Sequence, residues 1–160
     1  MPSFWSDKRV VVTGGAGFLG SFVADQLRAK GCEQIVVPRS RDYDLVQMDA
    51  VKQLYSDAKP DLVIRLAARV GGICANQNSP AEFLYDNVTM AVNAIHAAYE
   101  NSVERFLFLG STCIYPREAT QPMREDVLLT SPLEPTNEAY ALAKITGLKM
   151  CQAYRRQYGV

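Results

Sequence analysis

The chain carries no excess of charge of either sign: 17 lysines and arginines stand against 17 aspartates and glutamates. That balance offers no electrostatic footprint for nucleic acid or for an anionic membrane surface. It also lacks a long apolar run, its hydrophobic stretches falling far short of the roughly 20 residues a membrane span needs. The four cysteines, Cys32, Cys74, Cys113 and Cys151, include no Cys-x-x-Cys pair. Neither a zinc site nor a disulfide scaffold is therefore indicated, and reduced thiols in a cytoplasm fit best. No secretory leader, internal repeat or low-complexity tract is read. What is there is ordinary globular composition, 48% hydrophobic and 21% charged over 160 residues. A chain of that length suits one domain that buries about 70% of its unfolded surface.

Strand and helix patterns alternate along it. Strands are expected at 8–13, 34–38, 61–66 and 104–109, the first and last as buried runs. Helices are expected at 18–30, near 50–58, from Pro80 to Asn101 and from Glu138 to Tyr158, with Pro80 suited to a first turn. Alternation of this kind predicts an α/β fold, a doubly wound parallel sheet with right-handed crossovers. Residues 117–137 read as a polar, proline-marked loop that could face a substrate or could be a plain solvated connection.

Glycines 14, 17 and 20 fall where the first strand gives way to the first helix. In that context Gly14 permits a tight turn, Gly17 lets backbone approach a pyrophosphate, and Gly20 brings helix and strand close. Apolar residues 19, 22, 23, 24 and 27 give the helix its buried face, and Gly31 closes it as a C-cap does. The second strand ends at Pro38-Arg39-Ser40-Arg41, where NAD-binding units place a carboxylate on the ribose. Arg39 and Arg41 suit a phosphate there, which predicts NADP rather than NAD; two solvated loop arginines are the alternative.

Tyr140 and Lys144 are four residues apart, so a helix puts them on one face. A free phenol has a pKa of roughly 10, and a nearby cation favours the phenolate. Ser111 can hold the same substrate oxygen, which completes the set a carbonyl reductase needs. By itself Tyr-x-x-x-Lys also describes an amphipathic helix bearing an aromatic and a charge.

Three segments carry a resemblance: residues 66–73 (Leu-Ala-Ala-Arg-Val-Gly-Gly-Ile), 108–116 (Phe-Leu-Gly-Ser-Thr-Cys-Ile-Tyr-Pro) and 133–144 (Leu-Glu-Pro-Thr-Asn-Glu-Ala-Tyr-Ala-Leu-Ala-Lys). The chain resembles the extended short-chain dehydrogenase/reductases, and within them the GDP-L-fucose synthase branch, from about Lys8 to Gly159. The resemblance implies NADPH-dependent 3,5-epimerisation and 4-keto reduction of GDP-4-keto-6-deoxy-D-mannose to GDP-L-fucose. It implies that Ser111, Tyr140 and Lys144 form the reductase set and that Cys113 is one acid/base group of the epimerisation. It further implies NADP(H) held by Gly14, Gly15, Ala16, Gly17, Phe18, Leu19 and Gly20, by Arg39, Ser40 and Arg41, and by Leu109, Gly110, Ser111, Thr112 and Lys144.

Known members are longer, so the resemblance implies one NADP-binding domain over 1–160, ending before the last strands of the sheet and the C-terminal substrate domain. The second epimerising residue, a histidine in the family, is expected in that later part. His96 lies in an apolar helix and reads as a packing or interface residue. The resemblance also implies a homodimer through the helices near 80–101 and 138–158, whose small faces (Ala91, Ala94, Ala97, Ala98; Ala141, Ala143, Gly147, Met150) are the expected contact. Covering the sheet is the alternative use of those faces. An inactive NADP-binding or dimerising module, and a sibling nucleotide-sugar 4-epimerase or reductase, stay open as other readings. Arg65 sits where an apolar residue is expected and finds no explanation in the sequence.

Overall fold

The computed structural model describes residues 3–160. Four parallel strands form its sheet: β1 (Arg9–Thr13), β2 (Gln34–Val36), β3 (Leu62–Arg65) and β4 (Arg105–Phe108), in the order β2-β1-β3-β4. Five helices connect and follow them: α1 (Phe18–Ala29), α2 (Met48–Ala58), α3 (Ile73–Asn78), α4 (Pro80–Glu100) and α5 (Glu138–Tyr158). Every pairing is parallel, with Val11 opposite Val36 on one side and Val63 on the other. This is the expected doubly wound α/β layer. Chain order reverses at β1, so the crevice between the C-terminal ends of β1 and β3 is the switch point where such sheets hold ligands.

Alternation along the strands builds two cores. Val11 and Val63 point to one side and pack with Val51, Leu54 and Tyr55 of α2 and Ala97 and Ala98 of α4. Val10, Val12, Leu62 and Ile64 point to the other and meet Leu27 of α1 and Cys32. Each large aliphatic side chain buried in this way contributes roughly 1.5–3 kcal/mol. Asp61 ties the N-terminal end of the sheet together: its carboxylate accepts from the Arg9 backbone amide at 2.8 Å and from the Arg9 guanidinium at 2.6 and 3.0 Å.

The structure departs from expectation at several places. β4 is not a buried strand: Leu107 is 50% exposed and Leu109 is also open, because β4 is a sheet edge with no helix over that face. Along α1 the buried residues are Gly20, Ala24 and Leu27, whereas Leu19 is exposed and Phe22 is 60% exposed. Apolar spacing fits either assignment there, and packing against β1 and β2 selects one. Gly20 abuts the glycine turn rather than the strand; a Cβ on it would stand 2.1 Å from the Gly14 carbonyl oxygen. Helix α3 was not anticipated, since six residues are too few to show a period. The loop at 117–137 contains two single-turn 3-10 helices, Glu125–Val127 and Pro135–Asn137.

The small faces of α4 and α5 are also spent within the chain. Ala91, Ala94, Ala97, Ala98, Ala141 and Ala143 are all buried, and Gly147 is pressed on the Phe108 ring. The same two helices leave Leu84, Tyr85 and Leu142 exposed on their outer flank.

Candidate active site

β1 delivers Thr13 to the crevice, where its carbonyl accepts from the amides of Leu66 and Ala67. The next residue, Gly14, is in the left-handed region (φ +74°), and a Cβ on it would lie 2.7 Å from the Ala67 nitrogen. Only glycine lets the two strand ends approach so closely. The chain then turns into α1 at Gly17, which also lines the adjoining cavity, and no side chain caps the first amides of that helix.

That cavity, of about 590 Å³, is lined by Gly14, Ala16, Gly17, Pro38, Arg39, Ser40, Leu45, Ala67, Ala68 and Met90, among others. Free helix-terminal amides, a close-approach turn and the Arg39 cation form a set fitted to a dinucleotide carrying an extra phosphate. Arg41 is not among the lining residues; its guanidinium is exposed beside Asp42 at 3.5 Å. Phe18 and Leu19 are exposed in the first turn of α1, and Gly15 is closed into the turn by its amide bond to Val12. Tyr43, Asp44 and Leu45 join this cavity without any local signal in their sequence, and Ala67 and Ala68 join it from the 66–73 segment, for which no cofactor role was expected.

A second cavity, of about 350 Å³, is lined by Val70, Gly71, Gly72, Ile73, Asn76, Ser111, Cys113, Asn137 and Tyr140. Ser111, Cys113 and Tyr140 therefore share one space, although 29 residues separate the first from the last. Ser111 caps the 3-10 turn Thr112–Ile114, its oxygen accepting from the Cys113 amide at 3.4 Å and from the Cys113 thiol at 3.1 Å. Asn76 donates to the Gly71 and Gly72 carbonyls, while its Oδ1 and that of Asn137 are buried without a partner. Two unmatched acceptors among the lining residues call for donors such as sugar hydroxyls. Asn137 lies inside a segment already singled out; Asn76 carried no signal.

Lys144 does not line this cavity. It lies one turn along α5 from Tyr140, only 3% exposed, and donates to the Leu109 carbonyl at 2.8 Å. Its ammonium stands 5.6 Å from the Tyr140 ring centre and 5.3 Å from that of Phe108. Burial and, after it, the Arg65 cation push the Lys144 ammonium down to about 8. The Tyr140 hydroxyl is raised rather than lowered, chiefly by burial and then by Cys113, with Arg65 opposing. Lys144 was the cation expected to set this phenol; the one that lowers it here is Arg65, and desolvation outweighs it. Leu109, Gly110 and Thr112 line neither cavity; the first two bridge β4 to Ser111, and Thr112 opens the 3-10 turn after it. His96 bonds through Nδ1 to the Tyr154 hydroxyl at 2.8 Å, on the α4–α5 contact and away from both cavities.

Known proteins share this fold. The chain is 50% identical over 160 residues to the GDP-L-fucose synthase of Sinorhizobium fredii, covering 99% of this chain and 51% of that protein. Among solved structures it resembles a GDP-L-fucose synthetase from Naegleria fowleri bound to NADP, with a TM-score of 0.88 and 33% identity over 97% of this chain and 50% of that one. It also resembles MlghC, a GDP-mannoheptose C4 reductase from Campylobacter jejuni with NADP bound, with a TM-score of 0.93 and 31% identity over 97% and 49% of the two chains. The chain spans about half the length of the curated relatives it matches. Residues 10–160 match the NAD dependent epimerase/dehydratase family, and with the glycine turn, the parallel switch point and the Ser111–Tyr140 cavity in place, the chain belongs to that family.

Proposed function

We propose that this chain carries the NADP site and the reductase set of an enzyme that converts GDP-4-keto-6-deoxy-D-mannose to GDP-L-fucose. The observation that carries the reading is the meeting of Ser111, Cys113 and Tyr140 around one cavity, with Lys144 buried beneath it. Relatives named for that reaction support it, as do solved neighbours that hold NADP.

The chain's own groups then divide the work. A 4-keto group acidifies the hydrogens on the carbons beside it. Cys113, open to the cavity, is placed to move such a proton, and return of a proton to the opposite face inverts the centre. Bound NADPH supplies a hydride to C4. Tyr140 gives its hydroxyl proton to the C4 oxygen, and Ser111 holds that oxygen by hydrogen bond. Lys144 stands close enough to stabilise the phenolate left behind. Arg39, with Ser40 and the α1 terminus, holds the cofactor phosphates, and the unpartnered Asn76 and Asn137 oxygens take hydroxyls of the sugar. The four free cysteines agree with a reducing, cytoplasmic setting. A homodimer forms through the exposed flank of α4 and α5, where Leu84, Tyr85 and Leu142 lie open, not through their alanine faces.

One observation favours a second reading: the chain matches only about half of its relatives' length. On that reading it is a nucleotide-binding module without turnover. Titration with NADPH and NADH, followed by incubation with NADPH and the 4-keto sugar nucleotide, tests both. NADPH binding at least about tenfold tighter than NADH, with fucose product formed, is the expected result. Binding without product selects the module. Equal affinity for the two cofactors, or none for either, removes the NADP reading.

A further inference from the structure

Arg65 has no part in the chemistry above, yet it is the most deeply buried cation of the described chain, 1% exposed at the C-terminal end of β3. Its Nε and Nη2 have no hydrogen-bond partner. Its guanidinium stacks on the Phe108 ring at 5.1 Å, the same ring that carries the Lys144 ammonium at 5.3 Å. The two cations are therefore no more than about 10 Å apart. Phe108 is itself fixed, since α5 approaches it at Gly147, where a Cβ would stand 2.2 Å from the ring. The titratable groups that face the pair are Tyr55 from α2, Cys113 from the turn after β4, and Tyr140 and Cys151 from α5. Among the described residues no carboxylate pairs with either cation. Keeping a charge buried without a partner in this way is costly.

We propose that Arg65 is a positioning residue for the Tyr140–Lys144 pair: a fixed second cation behind Phe108 that repels the Lys144 ammonium and supports negative charge on the Tyr140 oxygen. The proposal rests on the reductase reading of that pair. Its physical content is the sign of the coupling. Arg65 stays charged at neutral pH even though burial pushes it down to about 10. It therefore opposes the proton on Lys144 and favours the phenolate of Tyr140, the form Tyr140 reaches after giving its proton away. At about 10 Å and an effective dielectric of about 20, the coupling is worth roughly one pH unit.

The test is direct titration of Lys144 by NMR, using reductively 13C-methylated chain and assigning the signal with Lys144→Arg. The unsubstituted chain is expected to titrate near 8. Arg65→Met should move that midpoint up by about one pH unit, and Arg65→Lys, which keeps the charge, should leave it within a few tenths. Equal movement in both variants, or movement in neither, overturns the proposal. If Arg65→Met does not fold, Arg65→Gln replaces it as the neutral form. A midpoint at 10 or above in the unsubstituted chain also overturns the proposal. The titration needs neither cofactor nor substrate. A shifted midpoint in a chain that reduces nothing would therefore remove the reductase reading and leave the coupling standing.

Discussion

Single side chains at the two ends of the sheet have separable effects. Arg39 lines the nucleotide cavity, whereas Arg41 is turned to Asp42 in solvent. Arg39→Ala should therefore weaken NADPH binding by about 10- to 100-fold, the worth of a charge-assisted phosphate contact, and leave NADH binding nearly unchanged. Fluorescence titration with both cofactors reads this, and equal loss for both would mean that Arg39 touches no distinguishing phosphate. At the other end Asp61 is held down at about 2 by hydrogen bonds from Arg9, against 3.8 ordinarily. Its folded value is depressed, so its contribution is present above pH 4 and fades as pH falls toward 2. The pair is partly exposed to solvent, which limits the effect to about 1 kcal/mol. Urea unfolding should show Asp61→Asn less stable by that amount at pH 7 and nearly matched to the parent at pH 2.5. A gap that persists at low pH would place its cause outside the ion pair.

At the scale of elements, contact between α5 and β4 places the chemistry. α5 brings Tyr140 to the cavity and Lys144 beneath it, and its approach is set by Gly147 against Phe108. Alanine inside a helix ordinarily gains up to about 1 kcal/mol over glycine. Gly147→Ala should instead destabilise by about 1–3 kcal/mol, because the added carbon would stand 2.2 Å from a Phe108 ring that also contacts Arg65 and Lys144. Gly72→Ala is the control, since nothing lies within 4 Å of its added carbon; it should change stability by less than about 0.5 kcal/mol. Thermal unfolding of the two variants checks this, and a neutral Gly147→Ala would mean that helix and strand are free to separate.

Across the whole molecule the unmatched surface is apolar. Leu107 on β4 and Leu109 just after it lie bare, as do Phe18 and Phe22 on α1. A second such surface, with Leu84, Tyr85 and Leu142, lies on the outer flank of α4 and α5. An uncovered strand edge invites pairing with another chain, so the two surfaces compete as routes to association. Sedimentation should find a dimer at micromolar concentration that Leu142→Lys reduces to a monomer while Leu107→Lys does not. The reverse pattern would assign association to the strand edge.

The alternation of strand and helix, the glycine turn and the Tyr140–Lys144 spacing were all legible in the linear chain, because each depends on neighbours within a few residues. Local rules of pleat, helical period and backbone freedom carry that much. Which face of α1 is buried, the exposure of β4, the internal use of the α4 and α5 alanines, the walls added by Ala67, Ala68 and Asn76, and the place of Arg65 came only with the tertiary structure. Each of these depends on what stands opposite a residue in space. Apolar spacing leaves that undetermined until the layers pack.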